Sequence, residues 1–185
     1  MVWKNDQVTE KETAKILELA RECLEVEGDF VEMGCYKGDT SLLLADILKG
    51  FGKRLWIYDS FEGLPEKTKS DQSVLGENFK GGELYVTKRE VKQRFLKAGL
   101  PVSGIKKAWF ADLTAEDLPE KIAFAFLDGD FYESIWDSLR LVVPKMTKNG
   151  VLIVHDYTNP ALPGVRKAVD EWTLGKKFDF KIVLL

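Results

Sequence analysis

The chain has 185 residues, of which 45% are apolar, and this is enough for one domain with its own hydrophobic core. Its net charge of −3 argues against a nucleic-acid partner, because binding to phosphates requires a basic surface. The chain begins with polar residues and has no apolar run of about 18 residues, so we predict neither a secretory signal nor a membrane partner. Cys23 and Cys35 form no C-x-x-C pair, which indicates reduced thiols and a cytoplasmic location.

The chain alternates between short apolar runs and segments with helical spacing. Thr9 and Glu12 match the capping-box pattern S/T-x-x-E and predict an N-terminal helix over 9–26. The elements that follow are strand 30–34, helix 39–50, strand 54–59, helix 87–99, strand 105–110, strand 122–127, helix 135–146, strand 151–154, helix 165–172 and strand 180–185. Unbroken apolar strands separated by helices predict a single α/β domain over 1–185, with a doubly wound, mostly parallel sheet.

One long segment, 60–86, is rich in charge, glycine and serine and matches no regular element. It is too long for an ordinary connection inside a compact domain, which favours a functional or mobile role. We predict that it is an insertion loop that closes over a bound ligand as a lid.

Acidic side chains follow the predicted strands. In a doubly wound sheet, ligands bind at the carboxyl ends of the strands. Five strands are followed within a few residues by a carboxylate, at Glu32, Asp59, Asp112, Asp128 with Asp130, and Asp156. Because these strand ends share one edge of the sheet, the pattern indicates a site there.

The first strand runs into the pattern E-x-G-x-x-x-G, formed by Glu32, Gly34 and Gly38. Asp59 follows Gly38 at the end of the next strand, where an acid can accept hydrogen bonds from a ribose. Glu32 would repel a pyrophosphate, so the pattern favours a ligand with a cationic amino-acid end, such as S-adenosylmethionine, over NAD. The sequence has no P-loop motif.

Four stretches then resemble the macrocin O-methyltransferase family of S-adenosylmethionine enzymes: FVEMGCYKGDTS (30–41), YDSFEGLP (58–65), LDGDFYES (127–134) and HDYTNPALPGVRKAVDEW (155–172). The resemblance implies a class I, Rossmann-like methyltransferase fold and transfer of a methyl group to a hydroxyl of a sugar or small natural product. The family sheet has a seventh, antiparallel strand, and we expect this chain to lack it.

The resemblance also assigns residues to the cofactor. The methionine part would be held by Glu32, Gly34, Tyr36, Gly38 and Ser41, the ribose by Asp59 with Ser60 and Phe61, and the adenine would lie near Phe110 and Asp112. Asp128 would lie beside the transferable methyl group.

A magnesium ion is a further implication of the resemblance. Its ligands would be Asp128 and Asp156, with His155 at a position where better-known members have aspartate. A nitrogen ligand makes manganese, iron, cobalt or nickel plausible beside magnesium. Alternatively, His155 is a general base or a structural residue, and Asp128 is the family-like candidate base. We expect Asp130 to cap the helix that follows it.

Several alternatives stay open at this point. The Asp-Gly-Asp stretch could be only a turn and a helix cap. A catechol-type methyltransferase that acts on a phenol shares the fold and the metal site. An NAD-dependent oxidoreductase and a nucleoside-binding module without catalysis are the other candidates. A homodimer could form through apolar surface around the first helix.

Overall fold

The computed structural model describes residues 7–76, 79–101 and 104–185. These residues form one sheet of six parallel strands in the order β3-β2-β1-β4-β5-β6. The strands are β1 Asp29–Met33, β2 Leu55–Asp59, β3 Ile105–Lys107, β4 Ile122–Leu127, β5 Met146–Val154 and β6 Lys181–Leu184. The helices are α1 Glu10–Glu22, α2 Asp39–Ile47, α3 Lys88–Ala98, α4 Tyr132–Val142 and α5 Pro163–Thr173. The predicted doubly wound α/β fold is confirmed.

Two hydrophobic layers cover the sheet. Alternate strand residues face opposite layers: Phe124 and Phe126 of β4 belong to the layer of α1, α2 and α3, and Ala125 and Leu127 to the layer of α4 and α5. All six residues of β4 are buried, which explains why its sequence is apolar without interruption. The strand order reverses between β1 and β4, so a cleft opens at their carboxyl ends.

Local signals set most helix ends as expected. Thr9 and Glu12 form the predicted capping box, in which the Thr9 amide donates to Glu12 at 3.0 Å and the Glu12 amide donates to Thr9 at 3.3 Å. Gly99 ends α3 with a left-handed backbone (φ 64°). Helix α1 ends at Glu22 rather than near residue 26, and the chain then turns into β1. No helix in the described ranges has both the length and the apolar character to cross a bilayer.

The third predicted strand is shorter than expected. Strand β3 ends at Lys107, and the chain then turns through a 3-10 helix, Phe110–Asp112. This strand lies at the edge of the sheet, and its two lysines are exposed, so little burial supports a longer strand.

The 60–86 segment folds back on itself. The Leu64 amide donates to the Glu83 carbonyl at 2.8 Å, and the Gly82 amide donates to the Leu64 carbonyl at 2.9 Å. In its described part, the regular structure is one 3-10 turn, Lys69–Asp71. Its predicted mobility stays a prediction, and part of it, residues 77–78, lies outside the described residues.

Candidate active site

A cleft of about 1060 Å³, counted to its open mouth, lies at the carboxyl ends of β1, β2, β4 and β5. Clefts at this edge of a doubly wound sheet are where such folds bind their ligands. Nine of the predicted site residues line it: Glu32, Gly34, Tyr36, Asp59, Ser60, Phe110, Asp128, His155 and Asp156. Four others do not line it as far as the structure describes it: Gly38, Ser41, Phe61 and Asp112.

Gly34 lies where β1 comes closest to β4. Its backbone has φ 92°, a left-handed conformation that favours glycine. A Cβ atom here would overlap the backbone carbonyl oxygen of Asp128. Glycine at position 34 therefore lets the carboxyl end of β1 approach the carboxyl end of β4 closely.

Asp59 holds the two loops that flank the cofactor side of the cleft. Its carboxylate accepts hydrogen bonds from the amides of Cys35 at 2.8 Å, Tyr36 at 3.1 Å and Phe61 at 2.7 Å. Tyr36 and Phe61 have left-handed backbones, with φ of 44° and 52°, which are costly for residues with a side chain. Asp59 thus stabilises two strained turns, in addition to the ribose contact predicted for it.

Glu32 is a buried acid with an unused oxygen. It is 1% exposed, and one carboxylate oxygen accepts a hydrogen bond from the Ser41 hydroxyl. Its Oε1 atom has no hydrogen-bond partner among the described residues. Burial raises the pKa of Glu32 to about 8, against the lowering effect of Ser41. Ser41 therefore orients Glu32 rather than lining the cleft, and a cation beside Oε1 would supply the missing partner.

The remaining residues predicted for the cofactor lie around this core. Gly38 precedes α2 with φ 79°, and a Cβ atom there would lie 3.1 Å from a methyl carbon of Val91. Ser60 accepts from the Glu62 amide and donates to the Gly63 carbonyl. Asp112 is exposed. The contacts predicted for these residues with a cofactor stay predictions.

His155 lies between two carboxylates on the other side of the cleft. It is 5% exposed, and its Nδ1 atom lies 3.0 Å from Oδ1 of Asp128 and 2.9 Å from Oδ2 of Asp156. Its Nε2 atom lies 3.8 Å from Glu12 at the start of α1. Burial alone would lower the pKa of His155, but Asp128 and Asp156 outweigh this effect and raise it to about 11. The side chains thus form a charged cluster.

The same three residues could hold a divalent cation. One ligand atom from each of Asp128, His155 and Asp156 lies within 4.8 Å of the others. Neighbouring ligands of an octahedral ion with bonds near 2.1 Å are separated by about 3 Å, which agrees with the two distances from His155 Nδ1. Two carboxylates and an imidazole therefore suit a divalent ion chemically, provided that Nδ1 is deprotonated.

The prediction for Asp130 was wrong. Phe131, whose side chain has no polar atom, is the N-cap of α4. Asp130 has a left-handed backbone (φ 61°), and its side chain lines the cleft instead of capping the helix. Burial, with the neighbouring charges of Asp128 and Asp156, raises the pKa of Asp130 well above its usual range. It is a third carboxyl group on this side of the cleft.

The sequence analysis missed some of the residues that line the cleft and one contact that holds the start of α4. Gln7 and Val8, just before α1, line the cleft, as do the apolar side chains of Phe79 and Trp109. At the start of α4, Asp71 supplies the acceptor that the N-cap Phe131 lacks: it accepts from the Tyr132 amide at 2.7 Å across 61 residues of sequence. No local spacing could have indicated that contact.

Comparisons with known proteins identify relatives of this chain. The model of the family described as macrocin-O-methyltransferase (TylF) matches residues 11–183. The chain is 32% identical over 179 residues to demethyldecarbamoylnovobiocin O-methyltransferase of Streptomyces niveus, covering 89% of this chain and 67% of the relative. It is 32% identical over 155 residues to 8-demethyl-8-(2,3-dimethoxy-alpha-L-rhamnosyl)-tetracenomycin-C 4'-O-methyltransferase of Streptomyces olivaceus, covering 80% of this chain and 58% of that protein.

A solved structure gives the same result for the fold. The O-methyltransferase NovP superposes with a TM-score of 0.79 at 27% identity, covering 90% of this chain and 74% of that one. The predicted class I, Rossmann-like fold is thus confirmed, although the chain spans only about three fifths to two thirds of the lengths of the two curated relatives. Since the family match extends over nearly all of the sequence, the chain belongs to the macrocin O-methyltransferase family.

Proposed function

We propose that this protein transfers a methyl group from S-adenosylmethionine to a hydroxyl of a sugar or small natural product. The observation that carries the proposal is one cleft lined both by Glu32, which has an unpartnered carboxylate oxygen, and by the cluster of Asp128, His155 and Asp156. The first suits the cationic end of the cofactor, and the second suits activation of a hydroxyl. The family of the chain supports this combination.

Glu32 and Asp59 are proposed to bind the two ends of the cofactor. The ammonium group of the methionine part would pair with Oε1 of Glu32, which would keep the buried carboxylate ionised. When bound, S-adenosylmethionine supplies a methyl group on a positively charged sulfur. In its ionised form Glu32 would repel a pyrophosphate, and this disfavours the NAD-dependent oxidoreductase.

The carboxylates of the cluster are proposed to remove the hydroxyl proton. The acceptor oxygen forms a bond to the methyl carbon while the carbon–sulfur bond breaks and its electron pair stays on sulfur. The proton passes to Asp128, which lines the cleft. Both ring nitrogens of His155 face carboxylates, so we assign His155 the role of holding Asp128 and Asp156 in position.

A divalent metal at this cluster is part of the proposal. Asp128, Asp156 and His155 would hold it, and its chemistry would be to lower the pKa of a hydroxyl bound to it. Magnesium suits the two carboxylates, and manganese or another transition metal suits the imidazole better. Metal binding would require His155 to release its Nδ1 proton.

The acceptor is proposed from the relatives. Their names describe methylation of a novobiocin precursor and of a rhamnosyl group on tetracenomycin C, so a glycoside hydroxyl is the first choice. A phenol, as in catechol-type enzymes, is the second choice, because it needs the same carboxylates. The predicted homodimer and cytoplasmic location stay predictions.

Calorimetric titration with S-adenosylhomocysteine, the reaction product, tests the cofactor site. We expect micromolar binding to the wild type, about tenfold or more weaker binding to Glu32→Gln, and no binding of NAD. Glu25→Gln, the same change at an exposed position that does not line the described cleft, is the matched control. Tight binding of NAD, or no binding of S-adenosylhomocysteine, would contradict the proposal.

Titration with manganese tests the cluster separately. Asp128→Asn should abolish a metal isotherm that the wild type shows, while leaving S-adenosylhomocysteine binding within about threefold. Cofactor binding without any metal binding would remove the metal from the proposal. If turnover were also absent, the non-catalytic nucleoside-binding module would be favoured.

A further inference from the structure

Asp71 is a buried carboxylate in the middle of the 60–86 segment. It is 1% exposed and closes the 3-10 turn Lys69–Asp71. Its Oδ2 atom accepts from the Thr68 hydroxyl at 2.7 Å and from the Thr68 amide at 3.0 Å. Its Oδ1 atom points the other way and accepts from the Tyr132 amide at 2.7 Å. One side chain therefore joins the segment to the start of α4.

The contact with Tyr132 replaces a missing local cap. The side chain of Phe131 cannot accept a hydrogen bond, so the first amides of α4 depend on another acceptor. A carboxylate also suits the positive end of the helix dipole. Asp71 performs this role from a distant part of the chain.

A third element closes the space around Asp71. Gly164 lies in the first turn of α5, and a Cβ atom there would overlap Oδ1 of Asp71 and lie 2.9 Å from the Tyr132 nitrogen. Glycine at this position thus leaves room for the carboxylate. Three elements, the 60–86 segment, α4 and α5, meet at one side chain.

The start of α4 is joined directly to the acidic turn of the cleft. Tyr132 follows Asp128, Gly129 and Asp130 with one residue between, and the Phe131 amide donates to the Gly129 carbonyl at 2.7 Å. Strand β4 holds this turn at one end, and α4 holds it at the other. A displacement of the α4 start would move Asp128 and Asp130 relative to His155.

The 60–86 segment also contacts the loop that carries Asp156. The Ser73 hydroxyl donates to the Pro160 carbonyl at 2.7 Å, and Asn159 next to it donates to Asp156 at 2.8 Å. On both sides of Asp71, the same segment contributes cleft-lining residues: Gly63, Leu64, Pro65, Phe79 and Leu84.

From these contacts we propose that Asp71 is a positioning residue that links the 60–86 segment to the turn 128–130, so that the placement of this segment sets the geometry of the acidic cluster. The functional meaning of this link rests on the proposed methyl transfer, whereas the link itself is a property of the fold. The two are tested by different measurements.

His155 provides a direct probe, because it is the single histidine of the chain. The ring signal of His155 in a ¹H–¹³C NMR spectrum of the untagged protein reports the positions of Asp128 and Asp156 around it. Asp71→Ala removes the side-chain hydrogen bonds of Asp71 with Thr68 and with Tyr132. Thr68→Val removes only the bond from the Thr68 hydroxyl and leaves the acceptor of the Tyr132 amide in place.

The matched control is Asp29→Ala. Asp29 is also a structural carboxylate and accepts from the Arg54 amide at 3.0 Å and from the Trp56 ring nitrogen at 2.9 Å. It lies at the start of β1, at the end of the sheet opposite the cleft. Loss of stability alone would affect this variant in the same way as the variants of Asp71.

We expect Asp71→Ala to shift the His155 ring signal and to speed amide hydrogen exchange about tenfold or more in both 64–76 and 131–136. Thr68→Val should shift the ring signal less and speed exchange mainly in 64–76, and it serves as the test if Asp71→Ala does not fold. Asp29→Ala should leave the ring signal unchanged.

An unchanged His155 signal in folded Asp71→Ala, or in Thr68→Val if only that variant folds, would overturn the proposal and leave Asp71 a purely structural cap. Failure of the wild type to bind S-adenosylhomocysteine would instead count against the proposed function. The NMR result would still decide the role of Asp71.

Discussion

Glu32 and Asp59 stand on neighbouring strands and are completed by residues close to them in sequence, whereas the cluster on the other side of the cleft is assembled from distant segments. Asp59 binds amides no more than 24 residues away, and Ser41 is nine residues from Glu32. The turn after β4 depends on Asp71, which is 61 residues from its partner Tyr132. The hydrogen bonds of the cofactor side thus span at most 24 residues of sequence, whereas those that hold the acidic side span up to 61.

This difference suggests how each side responds to change. The cofactor side should keep its shape as long as residues 32–61 are intact, because its hydrogen bonds close within that stretch of the chain. The acidic side depends on the mutual placement of α1, α4 and the 60–86 segment, as the contacts of His155 with Glu12 and of Asp71 with Tyr132 indicate. We therefore expect substitutions to separate cofactor binding from methyl transfer.

Asp128→Asn should give the largest effect and separate the two sides most clearly. We expect the rate of methyl transfer to fall by about 100-fold or more, because the variant loses a carboxylate beside the acceptor hydroxyl. Turnover with labelled S-adenosylmethionine and a glycoside found by screening measures this. Wild-type turnover in the variant would mean that the acidic side does not carry the chemistry.

Gly34→Ala should disturb both the cofactor side and the acidic side of the cleft, because Gly34 on the first lies against the Asp128 backbone on the second. The added Cβ would overlap the Asp128 carbonyl in a left-handed backbone, so we expect a loss of about 2–4 kcal/mol of unfolding free energy. Urea denaturation measures it. Gly50→Ala is the matched control: Gly50 is also left-handed (φ 85°) but has open space around it, and should cost only about 1 kcal/mol.

The pH dependence of stability should reveal the burial of Glu32 without any ligand. Because burial raises its pKa from 4.5 to about 8, the folded protein holds a proton that the unfolded chain releases. This contribution to stability is complete below pH 4.5 and is lost as the pH rises through about 8. Between these values, the unfolding free energy of the wild type should fall by up to about 1.4 kcal/mol per pH unit relative to that of Glu32→Gln.

Parallel denaturation curves of the two proteins from pH 5 to 8 measure this difference. The comparison removes the contributions of His155 and Asp130, which are common to both. Equal slopes would mean that Glu32 is ionised in the folded protein without a cation beside it.

Asp112→Asn should give the smallest effect. Family resemblance predicts that Asp112 lies near the adenine, but its side chain is exposed and does not line the described cleft. We expect the affinity for S-adenosylhomocysteine to change by less than about twofold. A calorimetric loss of tenfold would instead support the contact implied by the resemblance and would require the loop around Phe110 to move on binding.

All three residues predicted for the cluster line the described cleft, whereas four of those predicted for the cofactor do not: Gly38, Ser41, Phe61 and Asp112. The capping box at Thr9 is a local signal, and the structure has it where expected; Thr87 and Gly99 set the ends of α3 by equally local contacts. Asp130 was misassigned because an acid just before a helix normally caps it, whereas here Phe131 is the N-cap and Asp130 has a left-handed backbone and lines the cleft. That conformation cannot be inferred from spacing.

By itself, the sequence determined the strand–helix alternation, the parallel sheet and the set of carboxylates at its edge, because apolar periodicity and helix caps act over a few residues. The tertiary structure decided which of these carboxylates meet. It brought Asp128 and Asp156 to His155, joined Asp71 to Tyr132 and left Asp112 outside the cleft. Such contacts depend on how helices and loops pack over the sheet, and this packing is a sum over the whole chain that no short motif contains.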